Sequence, residues 1–274
     1  MKTSFFKEHN LFCITAILAV ILILIAILAP YITPYDPYET NMMQAYQAPS
    51  AAHWFGTDKL GRDVFSRVIY GTRISLPSTL LLVACVFVIG SVLGVVAGYF
   101  GGFTDTLIMR ISDMMISFPG MVLAISVAGI LGASIGNAII ALAVVGWTKY
   151  ARLARSVTLK IKNQDYVAAA IVTGTRTPVI LSKYIFVNAL PTLIVTAAMD
   201  IGTMILELAG LSFLGFGAQA PIPEWGLMLN EGRQFMLAYP WLMIFPGLAI
   251  CIVVIVFNLF GDSLRDILDP KNQG

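Results

Sequence analysis

Residues 149–191 read KYARLARSVTLKIKNQDYVAAAIVTGTRTPVILSKYIFVNALP and form the longest polar interval between apolar runs in the C-terminal half. The interval carries seven lysines and arginines but only one acid, Asp165. Such a positive excess beside membrane-length apolar segments indicates the cytoplasmic side of a membrane. Its middle, Tyr166 to Ala170, is small and apolar, and Gly174 and Pro178 follow. The stretch therefore indicates either a surface that docks another protein or a solvated basic loop that rests on anionic lipid.

The composition is that of an all-α integral membrane protein. Of the 274 residues, 58% are hydrophobic and 12% are charged, whereas about a quarter of the residues of a soluble domain are charged. The net charge of +2 gives no electrostatic case for binding nucleic acid. The three cysteines lie inside apolar runs without a CxxC pair, which favours packed or lipid-facing thiols.

The apolar runs predict six transmembrane helices, with both termini in the cytoplasm and most Lys and Arg residues on that side. They cover Leu11–Leu28, Leu76–Tyr99, Leu107–Leu131, a fourth span that begins near Asn137, Leu190–Leu208 and Trp241–Phe260. Proline and glycine predict a kink at Phe118-Pro119-Gly120 and a break at Pro246-Gly247. We divide the chain into residues 1–75, with the first span and an external loop, and residues 76–274, a five-helix core with a cytoplasmic loop over 149–191.

The external loop that follows the first span predicts an amphipathic helix. Val64, Phe65, Val68 and Ile69 fall on one face, which suits a position at the membrane interface. The preceding Gly56–Gly61 segment has the glycine spacing of a phosphate-binding loop but lacks the Lys-Ser/Thr that must follow, so we exclude ATP binding there.

The second span carries a glycine on one helix face at every fourth position. These residues are Gly90, Gly94 and Gly98, a pattern that allows another helix to approach closely.

Two acids, Asp200 and Glu207, lie in the fifth span, two helical turns apart and therefore on one side. A carboxylate in hydrocarbon is costly unless it faces water or a partner. The pair predicts the lining of a translocation path that favours cations or the amino end of a peptide. Alternatively, Asp200 pairs with a neighbouring chain and Glu207 sits at the external interface.

Several separated motifs, spread over nearly the whole chain, give a family resemblance. They are HWFGTDKLGRDVFSRVIYGTRISL (53–76), YFGG (99–102), SFPG (117–120), AGLSFLGFGAQAPIPEWGLMLNEGR (209–233) and FNLFGDSLRDILDP (257–270). In these motifs the chain resembles the second, C-type permease subunit of the peptide/nickel group of ATP-binding-cassette (ABC) importers. The resemblance implies the type I importer permease fold, with a cytoplasmic coupling helix.

The resemblance also implies a coupling motif, a Glu-Ala-Ala triplet followed by a glycine, which docks the ATPase. The motif maps onto Ala168-Ala169-Ala170 and Gly174, with Ala168 where glutamate is usual. The expected coupling residues also include Asp165 and Tyr166, which directly precede this stretch. The implied partners are a homologous permease in a heterodimer, two ATP-binding subunits, an extracytoplasmic substrate-binding protein and membrane lipid, and no nucleic acid. The external loops 31–73 and 210–240 would meet the binding protein, in a bacterial or archaeal cytoplasmic membrane.

The function expected from the resemblance is import without catalysis, cofactor or resident metal. Asp200-Ile201-Gly202 is similar to the nickel branch, so nickel or a metal chelate is the expected cargo, with a dipeptide or oligopeptide as the alternative. A stand-alone channel or secondary transporter is a remote alternative. An intramembrane enzyme is excluded because the chain has no HExxH, no GxSxG and no histidine in any span.

Overall fold

The computed structural model describes residues 10–268, and the regular secondary structure of this part is helical, apart from an isolated bridge between Thr57 and Asp63, while residues 33–63 and 214–224 are mostly turns and irregular backbone. Its helices are α1 (Asn10–Ile32), α2 (Val64–Phe100), α3 (Gly102–Ile116), α4 (Gly120–Leu131), α5 (Ile135–Lys162), α6 (Asp165–Val172), α7 (Thr177–Phe213), α8 (Trp225–Gly232) and α9 (Trp241–Leu268). Helix α7 contains a π-helical stretch at Ile180–Phe186. The predicted cytoplasmic position of the two chain ends falls on 1–9 and 269–274, outside the described residues.

The expected number of six spans is not confirmed. Within residues 10–268, four helices, α1, α2, α7 and α9, are long and apolar enough to cross a membrane, and the bent pair α3 and α4 makes up to five. The expected fourth span corresponds to α5, whose apolar part is short because Lys149 and Arg152 interrupt it just past the middle of the helix.

The predicted kink at Phe118-Pro119-Gly120 is confirmed, and it is sharp. Helices α3 and α4 meet there at 92°, with Pro119 in extended backbone conformation directly before α4. The predicted break at Pro246-Gly247 is wrong, because α9 runs through it without interruption. The residues at this point are packed: Phe245 stacks on Phe55 with ring centroids 3.8 Å apart, and Pro246 itself is buried.

Most of the predicted cytoplasmic loop 149–191 is helical, which corrects the sequence reading. Residues 149–162 complete α5, and residues from Thr177 onward begin α7, so only 163–176 connects the two long helices. Proline and glycine, which would end a helix, are absent between Trp147 and Lys162.

The reason that α5 continues lies in its packing against α2. A Cβ at Gly94 would collide with the carbonyl oxygen of Ala151 and lie 2.7 Å from the Cβ of Ala154. Gly90 and Gly98 meet α5 in the same way. The predicted close helix packing along this glycine stripe is therefore confirmed.

The predicted amphipathic helix exists only as the first turns of α2. Asp63 caps it by accepting a hydrogen bond from the Ser66 N–H at 2.7 Å. Val68 is buried, as expected, and Ser66 and Arg67 are buried too, so these turns have no solvated face, and their position at the membrane interface stays a prediction. The proposed boundary at residues 75–76 lies inside α2 and stays a prediction.

Residues 33–63 and 214–240 pack onto the long helices as one layer. The indole N–H of Trp225 at the start of α8 donates to the carbonyl of Val68 at 2.9 Å. A main cluster of buried apolar side chains lies under this layer and between α2, α5, α7 and α9, and a second, smaller cluster lies where α6 meets α7.

Candidate coupling surface and translocation cavity

Helix α6 is anchored to the chain by one apolar face. Val167 is fully buried and Ala170 is 5% exposed, and they pack in the cluster that includes Ile180 and Ile185 of α7. Asp165 lies in the first turn, where a negative charge favours the helix dipole.

A left-handed glycine ends α6 and turns the chain toward α7. Gly174 has φ +78°, and its N–H donates to the carbonyl of Ile171 at 3.0 Å, while the Thr175 N–H donates to Ala170 at 3.0 Å. These two bonds form a Schellman cap, for which glycine is the favoured residue. A Cβ at Gly174 would meet no atom within 4 Å, so the backbone conformation alone requires glycine here.

The other face of α6 is exposed and apolar. Tyr166 is 44% exposed and Val172 is 86% exposed, and Ala168 and Ala169 also lie on the surface. Of the predicted coupling residues, Ala170 alone points into the chain. Sequence reasoning missed Val172 and the half-exposed Ile171, although two branched apolar residues directly after three alanines were a usable signal.

The arginines of α5 are paired with acids of α3. The Arg152 Nη2 lies 2.5 Å from the Asp113 Oδ1, and Arg155 forms a two-pronged ion pair with Asp105. Both of these acids are thus bound by guanidinium groups from a neighbouring helix.

In mid-span, Asp200 of α7 is bound by two consecutive residues of α5. Lys149 Nζ lies 2.6 Å from its Oδ1, and the Tyr150 hydroxyl donates to its Oδ2 at 3.0 Å. The Asp200 side chain is 6% exposed, whereas that of Lys149 is 59% exposed. Asp200 is thus neutralised within its own chain, and no neighbouring chain is needed to pair with it.

Glu207 shares a cavity with this ion pair, as the two-turn spacing predicts. The cavity has a volume of about 270 Å³ and is lined by Lys149 of α5, by Asp200, Thr203 and Glu207 of α7, and by residues of α4. Within residues 10–268, the Glu207 carboxylate forms no hydrogen bond or ion pair.

A buried ionic cluster joins the two external segments. Arg62 donates to Asp58 at 2.6 Å and to Glu231 of α8 at 3.2 Å, and Arg67 donates to Glu231 at 3.3 Å. Both arginine side chains are 1% exposed. No sequence signal indicates that Glu231, more than 160 residues away, completes this cluster.

Glu224 caps the start of α8 from a buried position. Its carboxylate accepts the N–H groups of Gly226 at 2.9 Å and Leu227 at 2.8 Å. Burial raises the pKa of Glu224 above its ordinary range, and the two N–H donors oppose that rise. Across the described ranges, no three His, Cys, Asp or Glu side chains come together as metal ligands.

Comparison with known families and proteins gives consistent matches. The family described as "Binding-protein-dependent transport system inner membrane component" matches residues 90–274, and "N-terminal TM domain of oligopeptide transport permease C" matches 4–49. A dipeptide transport system permease protein of Alkalihalophilus pseudofirmus is 46% identical over 97% of this chain and 87% of its own length. A probable D,D-dipeptide permease of Escherichia coli is 44% identical over 98% of this chain and 90% of its own.

A third relative and a solved structure extend the comparison. A glutathione transport system permease protein of Pectobacterium atrosepticum is 43% identical over 97% of this chain and 89% of its own length. The inward-facing MetNI methionine ABC transporter contains a chain with a TM-score of 0.61 and 20% identity, which covers 74% of this chain and 96% of that one. That likeness establishes the fold as one shared with an ABC importer.

Proposed function

This chain belongs to the binding-protein-dependent transport system inner membrane components and is a transmembrane permease of an ABC importer, and from that premise we propose that its cargo is a short peptide. The observation that carries the proposal is the set of relatives, 43–46% identical over nearly the whole chain and named for dipeptides or glutathione. None of those names supports the expectation of nickel, so the peptide alternative replaces it.

The proposed coupling to the ATPase runs through the exposed face of α6. Val167 and Ala170 tie this short helix to the cytoplasmic end of α7, and the Gly174 cap fixes the turn between the two helices. A force on the exposed alanines and Val172 therefore reaches a span through packed side chains. Closure of two ATP-binding subunits would then move α7 as a rigid body. Ala168 supplies no charge, so the contact rests on shape and apolar burial.

The remaining proposed partners occupy the other surfaces. A homologous second permease completes the path, because the cavity that holds Asp200 and Glu207 is open on one side. The layer that contains α8 and the first external loop meets the substrate-binding protein. In this orientation α6 and both chain ends face the cytoplasm of the cell.

Uptake measurements test the proposed cargo. A strain that lacks this gene, complemented or not, is given radiolabelled L-alanyl-L-alanine or radiolabelled nickel at micromolar concentration. We expect complementation to restore dipeptide uptake and to leave nickel uptake unchanged. Restoration of nickel uptake alone would reject the peptide assignment, and activity of the purified chain in liposomes without ATPase subunits would favour a stand-alone transporter.

Cysteine crosslinking tests the coupling surface. Ala169→Cys is expected to crosslink to a cysteine on the ATPase subunit in a nucleotide-dependent manner, whereas Ala170→Cys, on the buried side of the same helix, is not. The coupling role of α6 fails if Ala169→Cys stays uncrosslinked under every nucleotide condition.

A further inference from the structure

The two acids of the cavity between α4, α5 and α7 differ in their hydrogen-bond and ion-pair partners. Both carboxylate oxygens of Asp200 are occupied, one by Lys149 and one by Tyr150. Glu207 has no such partner within the described residues. The two acids that share a face of α7 therefore have different tasks, because within the described residues Glu207 has both carboxylate oxygens unbound, whereas each oxygen of Asp200 already accepts a bond.

Lys149 also retains free capacity despite its ion pair. An ammonium group has three donors, and the contact with the Asp200 Oδ1 uses one of them. The Lys149 side chain remains 59% exposed, whereas the Asp200 side chain is 6% exposed. Asp200 thus acts as a fixed anchor that holds a cation at the wall of the cavity, with donors left for an incoming anion.

The distance between Glu207 and Lys149 suits a short peptide that has an ammonium group at one end and a carboxylate at the other. Asp200 and Glu207 are seven residues apart, which is about 10 Å along a helix axis, and Lys149 lies at the level of Asp200. Two residues of extended chain span about 7 Å, and a charged group at each end extends that length to its bonding partners. The cavity volume of about 270 Å³ also limits the occupant to a small molecule.

The order along α7 gives a direction to the arrangement. Helix α7 ends at Phe213, so Glu207 lies between the proposed external end and the ion pair. A peptide that enters from outside meets the free carboxylate first and the Lys149 cation deeper in the membrane. Ionisable groups inside a membrane protein are costly and mark substrate pathways.

We propose that Glu207 binds the N-terminal ammonium of a short peptide in transit, and that Lys149, positioned by Asp200, binds its C-terminal carboxylate. This inference rests on the proposed peptide function and adds to it the residues that select for a substrate with both ends free. The contact is non-covalent, and its strength is set by one complementary charge at each end.

The test uses the complete importer in proteoliposomes, with its binding protein and ATPase subunits, and L-alanyl-L-alanine as the probe. Two quantities are measured for each variant: the ATPase rate stimulated by loaded binding protein, and the peptide accumulated per ATP hydrolysed. For Glu207→Gln we expect peptide per ATP to fall about tenfold, which corresponds to about 1.4 kcal/mol of lost attraction, while stimulated ATPase activity stays unchanged. Glu207→Asp, which keeps the charge, should retain most of the transport.

Companion variants separate the proposed roles. Lys149→Gln should lower peptide per ATP as Glu207→Gln does, and Asp200→Asn should lower it less, since the cation remains but loses its anchor. Asp262→Asn, which removes an exposed carboxylate outside the cavity, is the matched control and should transport normally.

Three outcomes would overturn the inference. Glu207→Gln could leave peptide per ATP unchanged, or Glu207→Asp could fail as severely as Glu207→Gln. A parallel fall in complex yield, ATPase activity and transport would instead identify Glu207 as a structural partner of the second permease. If the unmodified importer carries no dipeptide at all, the proposed function itself fails, and that result is distinct from the other three.

Discussion

Two valines of α6 allow a matched test of the docking surface, because they undergo the same chemical change in opposite environments. Val172 is 86% exposed, and Val167 is fully buried against the chain's own core. Replacement of either by alanine removes two methyl groups. If Val172 becomes buried in the ATPase groove, its truncation costs about 1.6 kcal/mol at about 0.8 kcal/mol per carbon, or about 15-fold in affinity.

Val167→Ala should act on the permease itself. It removes the same two carbons from a packed site and leaves a void, so we expect a loss of about 2 kcal/mol in the free energy of unfolding. The melting temperature of the purified chain in detergent should fall for Val167→Ala and remain unchanged for Val172→Ala. The affinity for the ATPase subunit should fall for Val172→Ala.

The assay titrates purified ATPase subunit against immobilised permease and records binding, alongside thermal unfolding followed by tryptophan fluorescence. An affinity for Val172→Ala within twofold of the unmodified chain would refute the assignment of this face as the docking surface. A drop in the melting temperature of Val172→Ala as large as that of Val167→Ala would also refute the assignment, because it would mean that Val172 packs within the chain.

Three further predictions concern stability, each measured by unfolding of the purified chain in detergent. Glu231→Gln leaves two buried arginines without their shared carboxylate and should lower the free energy of unfolding by about 3–5 kcal/mol. Lys59→Gln removes the partly exposed cation that binds the same acid and should lower it by less than about 1 kcal/mol. Equal effects of the two variants would contradict the buried cluster. Gly94→Val should destabilise the chain by about 1–3 kcal/mol through overpacking against α5. Gly136→Ala should not, because the nearest atom to a Cβ added at Gly136 lies 4.0 Å away. Tolerance of the valine at position 94 would argue against the tight α2–α5 contact. Because burial raises the pKa of Glu224, the folded chain binds the proton of this carboxyl more tightly than the unfolded chain does, so the stability that this group contributes should fall as pH rises through the raised pKa. Glu224→Gln should flatten this dependence of stability on pH. An unchanged pH profile in that variant would exclude Glu224 as its source.

The sequence predicted local features well where one residue type sets the backbone. Proline in SFPG predicted the break between α3 and α4, since its ring removes a helix hydrogen bond. The four-residue spacing of Gly90, Gly94 and Gly98 predicted the close approach of α5, and the apolar runs predicted most of the long helices. Pro246 misled the same reasoning, because a proline removes only one helix hydrogen bond and α9 continues through it.

Composition and apolar run length alone determined that the chain is an integral membrane protein, because those properties report how each segment meets lipid or water, and the ordered motifs gave its resemblance to importer permeases. Only the tertiary structure decided which charges are free. Asp200 is neutralised by Lys149 from 51 positions away, and Arg62 by Glu231 from 169 positions away. Helical periodicity gives the face on which a side chain lies but not the residue that it meets across the packing. The structure therefore divides the stretch from Lys149 to Pro191 between two surfaces. Helix α6 presents Ala169 and Val172 outward, and Lys149 lines the cavity.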